Sequence, residues 1–358
     1  MRVHREAAIE PIAEEWEALA TRTNGTVFDG PGWLGAWWHA FGSGELEVVA
    51  VRDGDELVGV LPLVRRAGGL RSPTNWHTPS FGPTGTPEGI AAACDALFAS
   101  PASYVLLRFL EAPDVVAAAA RRRGYHVHVR ELQRSPYAQL DRIEPGQPTS
   151  TAKSRGRARR LASLGEVELD VRDGSAALDE DLRLAFELEG SGWKREAGTA
   201  IVSRPETRRF YEEVARWAAA RGLLRLLFLR VGGRAVAVEL VLADGGRTFD
   251  VKGGYDPSYR TYAPGRVLRD LMLDWAKREG FRTHEFLGDS EPWKLERAHG
   301  VRTRYELVAV RGRVRGWAVR TAFVHGRPLA RRARGAVDRL TAAGGRRSRR
   351  SGDRAARG

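Results

Sequence analysis

The densest run of chemically capable residues is Asp250 to Gly265, Asp-Val-Lys-Gly-Gly-Tyr-Asp-Pro-Ser-Tyr-Arg-Thr-Tyr-Ala-Pro-Gly. It reads as the end of a strand, a polar aromatic loop and the first turn of a helix. Pro264 is tolerated there because its missing N–H would have no intrahelical acceptor, and Gly265 lets an anion approach the free amides of that turn. Tyr262, Arg266 and Lys252 flank the turn and add a phenol and two positive charges. A phosphate-bearing ligand suits such a place. Pro-Gly at a helix start is also ordinary capping, and neither G-x-G-x-x-G nor G-x-x-x-x-G-K-[ST] accompanies it.

Glu239, Asp250, Asp256 and Asp289 fall at predicted strands or strand ends and are candidate general bases. Lys252 and Lys294 stand out because only five of the 58 basic residues are lysine. A compact ammonium pairs well with a site carboxylate or with an anionic group on a substrate. Tyr255, Tyr259 and Tyr262 offer phenols for proton donation or stacking. His126 and His128 alternate along one predicted strand without a third ligand nearby, so no metal is expected. Cys94, the single cysteine, excludes an internal disulfide and any C-x-x-C site.

The elements that must position these residues form two α/β halves of similar order. In the first, helical spacing marks 9–20 and the aromatic stretch Trp33, Trp37, Trp38, Phe41, whose rings belong in a core. Apolar runs at 45–51 and 57–64 flank Asp53-Gly54, a hairpin signal. A long proline-rich loop at 68–89 carries Asn75, Trp76, His77, Ser80 and Phe81, and loops of that length are often functional. Helices at 90–98 and 115–123 alternate with strands at 104–109 and 126–131. The second half opens on a basic helix at 149–164, with Lys153, Arg155, Arg157, Arg159 and Arg160, and continues with a strand at 166–172 and helices at 177–194 and 204–221. Strands at 223–231, 234–243 and 247–253, a helix at 264–279 and strands at 282–287 and 303–310 complete it. The similar order suggests an internal duplication that residue identities do not display.

With 358 residues the chain accommodates two domains, and its longest apolar runs are far short of the roughly 20 residues that cross a bilayer. The N-terminal twenty residues lack the apolar core of a secretory signal, so a cytoplasmic location is expected. The net charge of +13 is concentrated: residues 326–358 alone carry +9. That tail is expected to be largely disordered, and an Arg-, Ala- and Gly-rich composition reflects a GC-rich bacterial genome as readily as a nucleic-acid partner.

These residues together resemble the GNAT-type acyltransferases of the CelD/BcsL group, relatives of the Fem aminoacyl transferases. The resemblance rests on Glu15-Trp16, Phe28, Trp33-Leu-Gly-Ala-Trp-Trp38, Leu57-Val-Gly-Val-Leu-Pro62, the basic helix and Gly192-Trp-Lys194. It is strongest in Gly253-Gly-Tyr-Asp-Pro257, Tyr262-Ala-Pro-Gly265, Phe286-Leu-Gly-Asp289 and Trp293-Lys294, and spans about residues 10 to 310. It implies two tandem GNAT-like domains, each a mixed, mostly antiparallel sheet flanked by helices, at 1–148 and 149–315, followed by the Arg-rich segment 316–358. It also implies transfer of an acyl group from acetyl-CoA or another acyl-CoA to an amine or hydroxyl on a small molecule or glycan, in polysaccharide or envelope metabolism. Asp250, Asp256, Lys294, Tyr255 and Glu239 are then the candidate catalytic residues, and Tyr262, Pro264, Gly265, Arg266 and Lys252 the candidate cofactor contacts. Two departures stand out: Trp293-Lys294 replaces the family's frequent Tyr-Lys, and the Gln/Arg-x-x-Gly-x-Gly loop is absent. Two other readings stay open. One is a Fem-like aminoacyl transferase using charged tRNA, with phosphates met by the basic helix and tail. The other is a non-catalytic binding module for nucleic acid or membrane headgroups.

Overall fold

The computed structural model describes residues 1–144, 152–191, 198 and 200–312. The expectations for Gly192-Trp-Lys194 and for the tail beyond residue 312 lie outside them. Among the described residues no helix is long and apolar enough to cross a membrane.

The first half runs β1 (Arg2–Glu6), α1 (Ala13–Arg22), α2 (Pro31–Phe41), β2 (Glu45–Asp53), β3 (Glu56–Arg66), β4 (Gly69–Arg71), β5 (Thr84–Gly85), α3 (Pro87–Ala99), β6 (Tyr104–Leu110), α4 (Pro113–Arg122) and β7 (Tyr125–Gln139). The second contributes α5 (Ala152–Ala162), β8 (Val167–Arg172), α6 (Leu178–Glu189), α7 (Pro205–Ala220), β9 (Leu224–Val231), β10 (Arg234–Asp244), β11 (Arg247–Tyr255), α8 (Pro264–Arg278), β12 (Thr283–Glu285), α9 (Pro292–Leu295) and β13 (Gly300–Arg311). Apolar alternation and the turn glycines set most of these: the β2–β3 hairpin turns where Gly54 takes φ 60°, a left-handed value glycine adopts freely.

All strands join one sheet in the order β1-β2-β3-β4-β6-β13-β7-β12-β11-β10-β9-β8, with β5 beside β3. Pairing is antiparallel except for β4 with β6 and β11 with β12. The mixed, mostly antiparallel sheet flanked by helices is the architecture the sequence implied. Its connectivity is tighter than the order of elements suggests. β13, the last strand of the second half, lies between β6 and β7, and β7 runs on past the expected residue 131 to pair through Tyr137–Gln139 with β12. The halves thus exchange strands.

The core follows this exchange. Leu307 and Ala309 of β13 are fully buried against Leu61, Leu97, Phe98 and Leu107 of the first half. On the other side Phe28, Trp33 and Trp37 pack with Phe210, Phe228 and Phe249 of the second, with Trp33 edge-on to Phe210 at 5.1 Å and Phe28 edge-on to Phe249 at 5.0 Å. Aromatic pairs at these separations contribute beyond their buried area. A Cβ on Gly32 would lie 1.9 Å from the Trp217 indole, so α2 and α7 approach at glycine distance.

Residues 1–148 and 149–315 produced as separate chains are expected to fail to fold, because the first lacks β13 from the middle of its sheet and the second lacks β7. Near-UV circular dichroism and urea unfolding check this; two cooperatively unfolding pieces would contradict it.

Candidate active site

β11 and β12 start side by side, Arg247 opposite Thr283 and Phe249 opposite Glu285, and then part. Two features turn them away from each other. A bulge makes Val251 an extra residue between the pairs Leu240–Lys252 and Val241–Asp250, bending β11. Beyond β12, Leu287 and Gly288 both take left-handed backbone, φ 49° and 61°. A leucine in that region is strained, by roughly 1–3 kcal/mol. The gap widens into a cleft of about 1190 Å³ lined from both halves of the chain.

On the α8 side the floor is charged. Arg269 of α8 pairs through Nη2 with Glu239 Oε1 at 2.9 Å, its Nε lies 3.6 Å from Asp250 Oδ2, and its guanidinium lies 3.9 Å from the Trp293 ring centre. Burial would lower the Arg269 pKa, but Glu239, Asp250 and Glu291 outweigh it and raise it, so this cation is permanent. Glu239 is 1% exposed and lies directly over Gly253, its register partner. A Cβ there would come 1.7 Å from Glu239 Oε2. At Gly254 a Cβ would come 2.4 Å from the Glu189 backbone, where α6 crosses the strand. The paired glycines thus have two separate packing reasons. Buried His284 of β12 bonds Thr248 Oγ1 through Nδ1 at 2.9 Å, and Asp250 and Arg269 are the charges it faces.

On the opposite face, Lys252 lies 3.8 Å from Glu189 Oε1 and over the Tyr211 ring. Glu189 Oε2 accepts from the Ile201 amide at 2.8 Å. The Tyr211 hydroxyl bonds His77 Nδ1 at 3.1 Å, and His77 stacks on Phe41. Burial, then Lys252 and Arg204, push the His77 pKa down to about 4, so it is neutral at pH 7. Burial, with Glu189, raises that of Tyr211.

Of the residues singled out in the sequence, Glu239, Asp250, Lys252, Tyr255, Gly265, Arg266 and Lys294 line the cleft. Pro264 is buried in the adjoining first turn of α8, whose N-terminus has no side-chain cap and follows Ala263 in left-handed backbone. Asp256 is not among the residues lining the cleft. Its carboxylate accepts from the Ser258 amide at 2.9 Å and hydroxyl at 2.7 Å and pairs with Arg234 at 2.7 Å. Burial favours its neutral form, yet these partners prevail and lower its pKa. Tyr262 lies beside the helix under Arg160, 5.8 Å from its ring centre, rather than on the cleft wall. Lys294 is buried, its ammonium donating to the Leu287 carbonyl at 2.8 Å and the Asp289 carbonyl at 3.2 Å and pairing with Glu291 at 3.1 Å. Three protons meet three acceptors, so Lys294 acts as a strut for the strained loop. Arg269, Tyr211 and Glu189 are cleft residues the sequence does not distinguish: Arg269 is one arginine among many, and the others meet their partners only through the fold. Among the described residues no three His, Cys, Asp or Glu side chains form a metal-binding group.

Comparison with known proteins bears on this cleft. Residues 150–295 match the acetyltransferase (GNAT) domain. The match covers α5 to α9, and hence the carboxylate floor and the N-terminus of α8. No curated protein matches the chain. The fold is similar over both halves to solved structures of FemX (TM-score 0.57, 11% identity, 86% of this chain and 97% of that one) and L-PGS from Bacillus licheniformis (0.53, 14%, 83% and 91%). A conserved protein of unknown function from Bacteroides thetaiotaomicron is equally similar (0.57, 12%, 87% and 100%). At these identities the likeness is one of fold alone.

Two outcomes follow from the geometry. Gly253→Ala is expected to destabilise the protein by about 1–3 kcal/mol by displacing the Glu239 carboxylate, read from urea unfolding. Burial pushes the His284 pKa down to about 4 in the fold. As pH falls from 6.5 the unfolded chain takes up the proton first, so stability declines down to about pH 4 and then levels, by on the order of 3 kcal/mol for this residue. Urea midpoints across that range should fall less steeply in His284→Gln; parallel slopes would refute the assignment.

Proposed function

We propose that the protein is an acyl-CoA-dependent GNAT-type acyltransferase working on an amine or hydroxyl acceptor. The observation that carries this is the parting of β11 from β12 beside the uncapped N-terminus of α8. Strand edges that part within a sheet present N–H and C=O groups with no neighbouring strand, and an extended arm with peptide-like amides can add there as a strand. At its end the Gly265 amide, one of the first-turn N–H groups that no intrahelical carbonyl reaches, and the Arg266 side chain suit a pyrophosphate. Gly265 leaves room: a Cβ there would meet nothing closer than 3.6 Å. The residues present therefore fit an acyl-coenzyme A, which when bound supplies the thioester.

In this reading Asp250 takes the acceptor proton. It is the more open of the two floor carboxylates, while Glu239 is held by Arg269. The acceptor heteroatom bonds the acyl carbon as the carbon–sulfur bond breaks, with backbone N–H groups of β11 as available oxyanion donors. Tyr255, the cleft-lining member of the three loop tyrosines, returns a proton to the leaving thiolate. The acceptor enters from the face carrying Lys252, Glu189 and Tyr211.

A second reading, aminoacyl transfer from charged tRNA, draws on the basic helix α5. Its Arg160 reaches the Thr261 carbonyl at 3.4 Å, which sets Arg155, Arg157 and Arg159 on a helix next to the first turn of α8.

Calorimetric titration with acetyl-CoA tests the choice. Micromolar binding, weakened at least about tenfold by Arg266→Glu, is the expected result. Asp250→Asn should leave that binding in place and lower thiol release with a panel of amines on the order of 100-fold. A flat titration alongside salt-sensitive tRNA binding would favour the second reading.

A further inference from the structure

The two halves repeat one plan, and the repeat differs at one place. β3, β4 and β6 correspond to β10, β11 and β12: in each triplet the first pair is antiparallel and the second parallel. A helix follows each middle strand, α3 from Pro87 and α8 from Pro264. Each parallel strand has a left-handed non-glycine residue near its end, Phe109 with φ 59° one residue before the end of β6 and Leu287 with φ 49° two residues past β12.

Where β11 runs unbroken for nine residues, its counterpart is only Gly69–Arg71, and the chain makes an excursion through 72–83 before β5 regains the edge of β3. The excursion fills the gap beside β6. The Ser72 amide donates to Leu106 O at 3.0 Å, the Arg108 amide to Ser72 Oγ at 2.9 Å, and the Phe81 amide to Phe109 O at 2.9 Å. Phe81 also bridges Leu110 in parallel. A void of about 20 Å³ lies beside this segment, room for one water, against about 1190 Å³ in the cleft. The helix that follows is closed too. Thr86 caps α3 by accepting from the Gly89 amide at 3.1 Å, and a Cβ on Gly89 would come 2.0 Å from the Val58 carbonyl.

The same excursion reaches the other half. Asn75, Trp76, His77, Thr78 and Pro79 line the cleft, and Trp76 is 60% exposed. His77 is tied to Tyr211, and buried Arg304 of β13 donates to the Pro79 carbonyl at 3.2 Å while pairing with Glu111.

We infer that residues 72–83 occupy, in the first half, the position that the acyl donor takes in the second. The chain then has a single donor site, and the Asn75–Pro79 turn is the wall that selects the acceptor. This rests on the acyl-CoA reading and assigns the first half a part in acceptor recognition.

Titration of the full chain with free coenzyme A should give one site per chain, lost in Arg266→Glu and retained within about twofold in Trp76→Ala and Thr86→Gly. Two sites per chain, or a single site lost in Thr86→Gly and kept in Arg266→Glu, would overturn the inference. Hydrogen exchange separates its failure from that of the parent reading. The Ser72 and Phe81 amides should exchange slowly in the free protein and be unchanged by coenzyme A. Fast exchange that slows on adding coenzyme A would overturn the occupant role while upholding acyl-CoA use. A flat wild-type titration would overturn acyl-CoA use and the single donor site with it.

Discussion

The parting of β11 from β12 is the constraint around which the rest is arranged. Sheets pair nearly all their interior backbone groups, and an open seam between two strands invites closure. Here the seam is kept open by the Val251 bulge on one lip and the left-handed Leu287–Gly288 pair on the other. The strain at Leu287 is offset by Lys294, whose buried ammonium makes charge-assisted bonds to the carbonyls on either side of Gly288. The scarce Lys294 singled out in the sequence thus supports one lip of the cleft that it also lines.

An opening in mid-sheet is useful only if both lips stay in register. The exchange of β7 and β13 meets that need. β12, which forms one lip with only three residues, would be a weak edge alone; paired with the far end of β7 it becomes part of a continuous sheet. Ser135 of β7 reinforces it, donating from Oγ to the Gly288 carbonyl at 2.7 Å. β13 in turn sends Arg304 to hold the segment that carries His77. The interlocked aromatic core around Trp33 and Phe210 fixes the relation of the halves from the other face.

What the sequence made legible follows from the range of the interactions involved. Alternation and turn glycines are local, and the longer strands and helices came through with errors chiefly at their ends, while the short elements β1, β4, β5 and α9 did not. Asp256-Pro-Ser258 falls in the loop the sequence marks, and there the Asp256 carboxylate accepts from the amide two residues on, outside the lining of the cleft. The Gly253-Gly254 pair was legible as a motif but not as a cause, because Glu239 and the end of α6 meet it only in the fold. β13 reads as an ordinary strand; apolar alternation fixes which face is buried and leaves the identity of the neighbours open. His77 lay in a loop long enough to suggest function, yet its partner Tyr211 is 134 residues away.

The floor of the cleft shows how one arginine can divide the work of two carboxylates. Glu239 and Asp250 both lie on the α8 side, almost fully buried, and burying two like charges together is costly without a cation between them. Arg269 resolves this unequally. It pairs with Glu239 at 2.9 Å and lies farther, 3.6 Å, from Asp250, while Trp293 covers its face. Glu239 is therefore committed to holding the arginine, and Gly253 exists to make space for that commitment. Asp250, nearer the seam and more loosely held, keeps an oxygen available to the cleft. Paired groups pushed into different environments are how sites assign distinct roles to like residues. Under the proposed acyl transfer, that asymmetry assigns the acceptor's proton to Asp250, the more exposed of the two, rather than to Glu239.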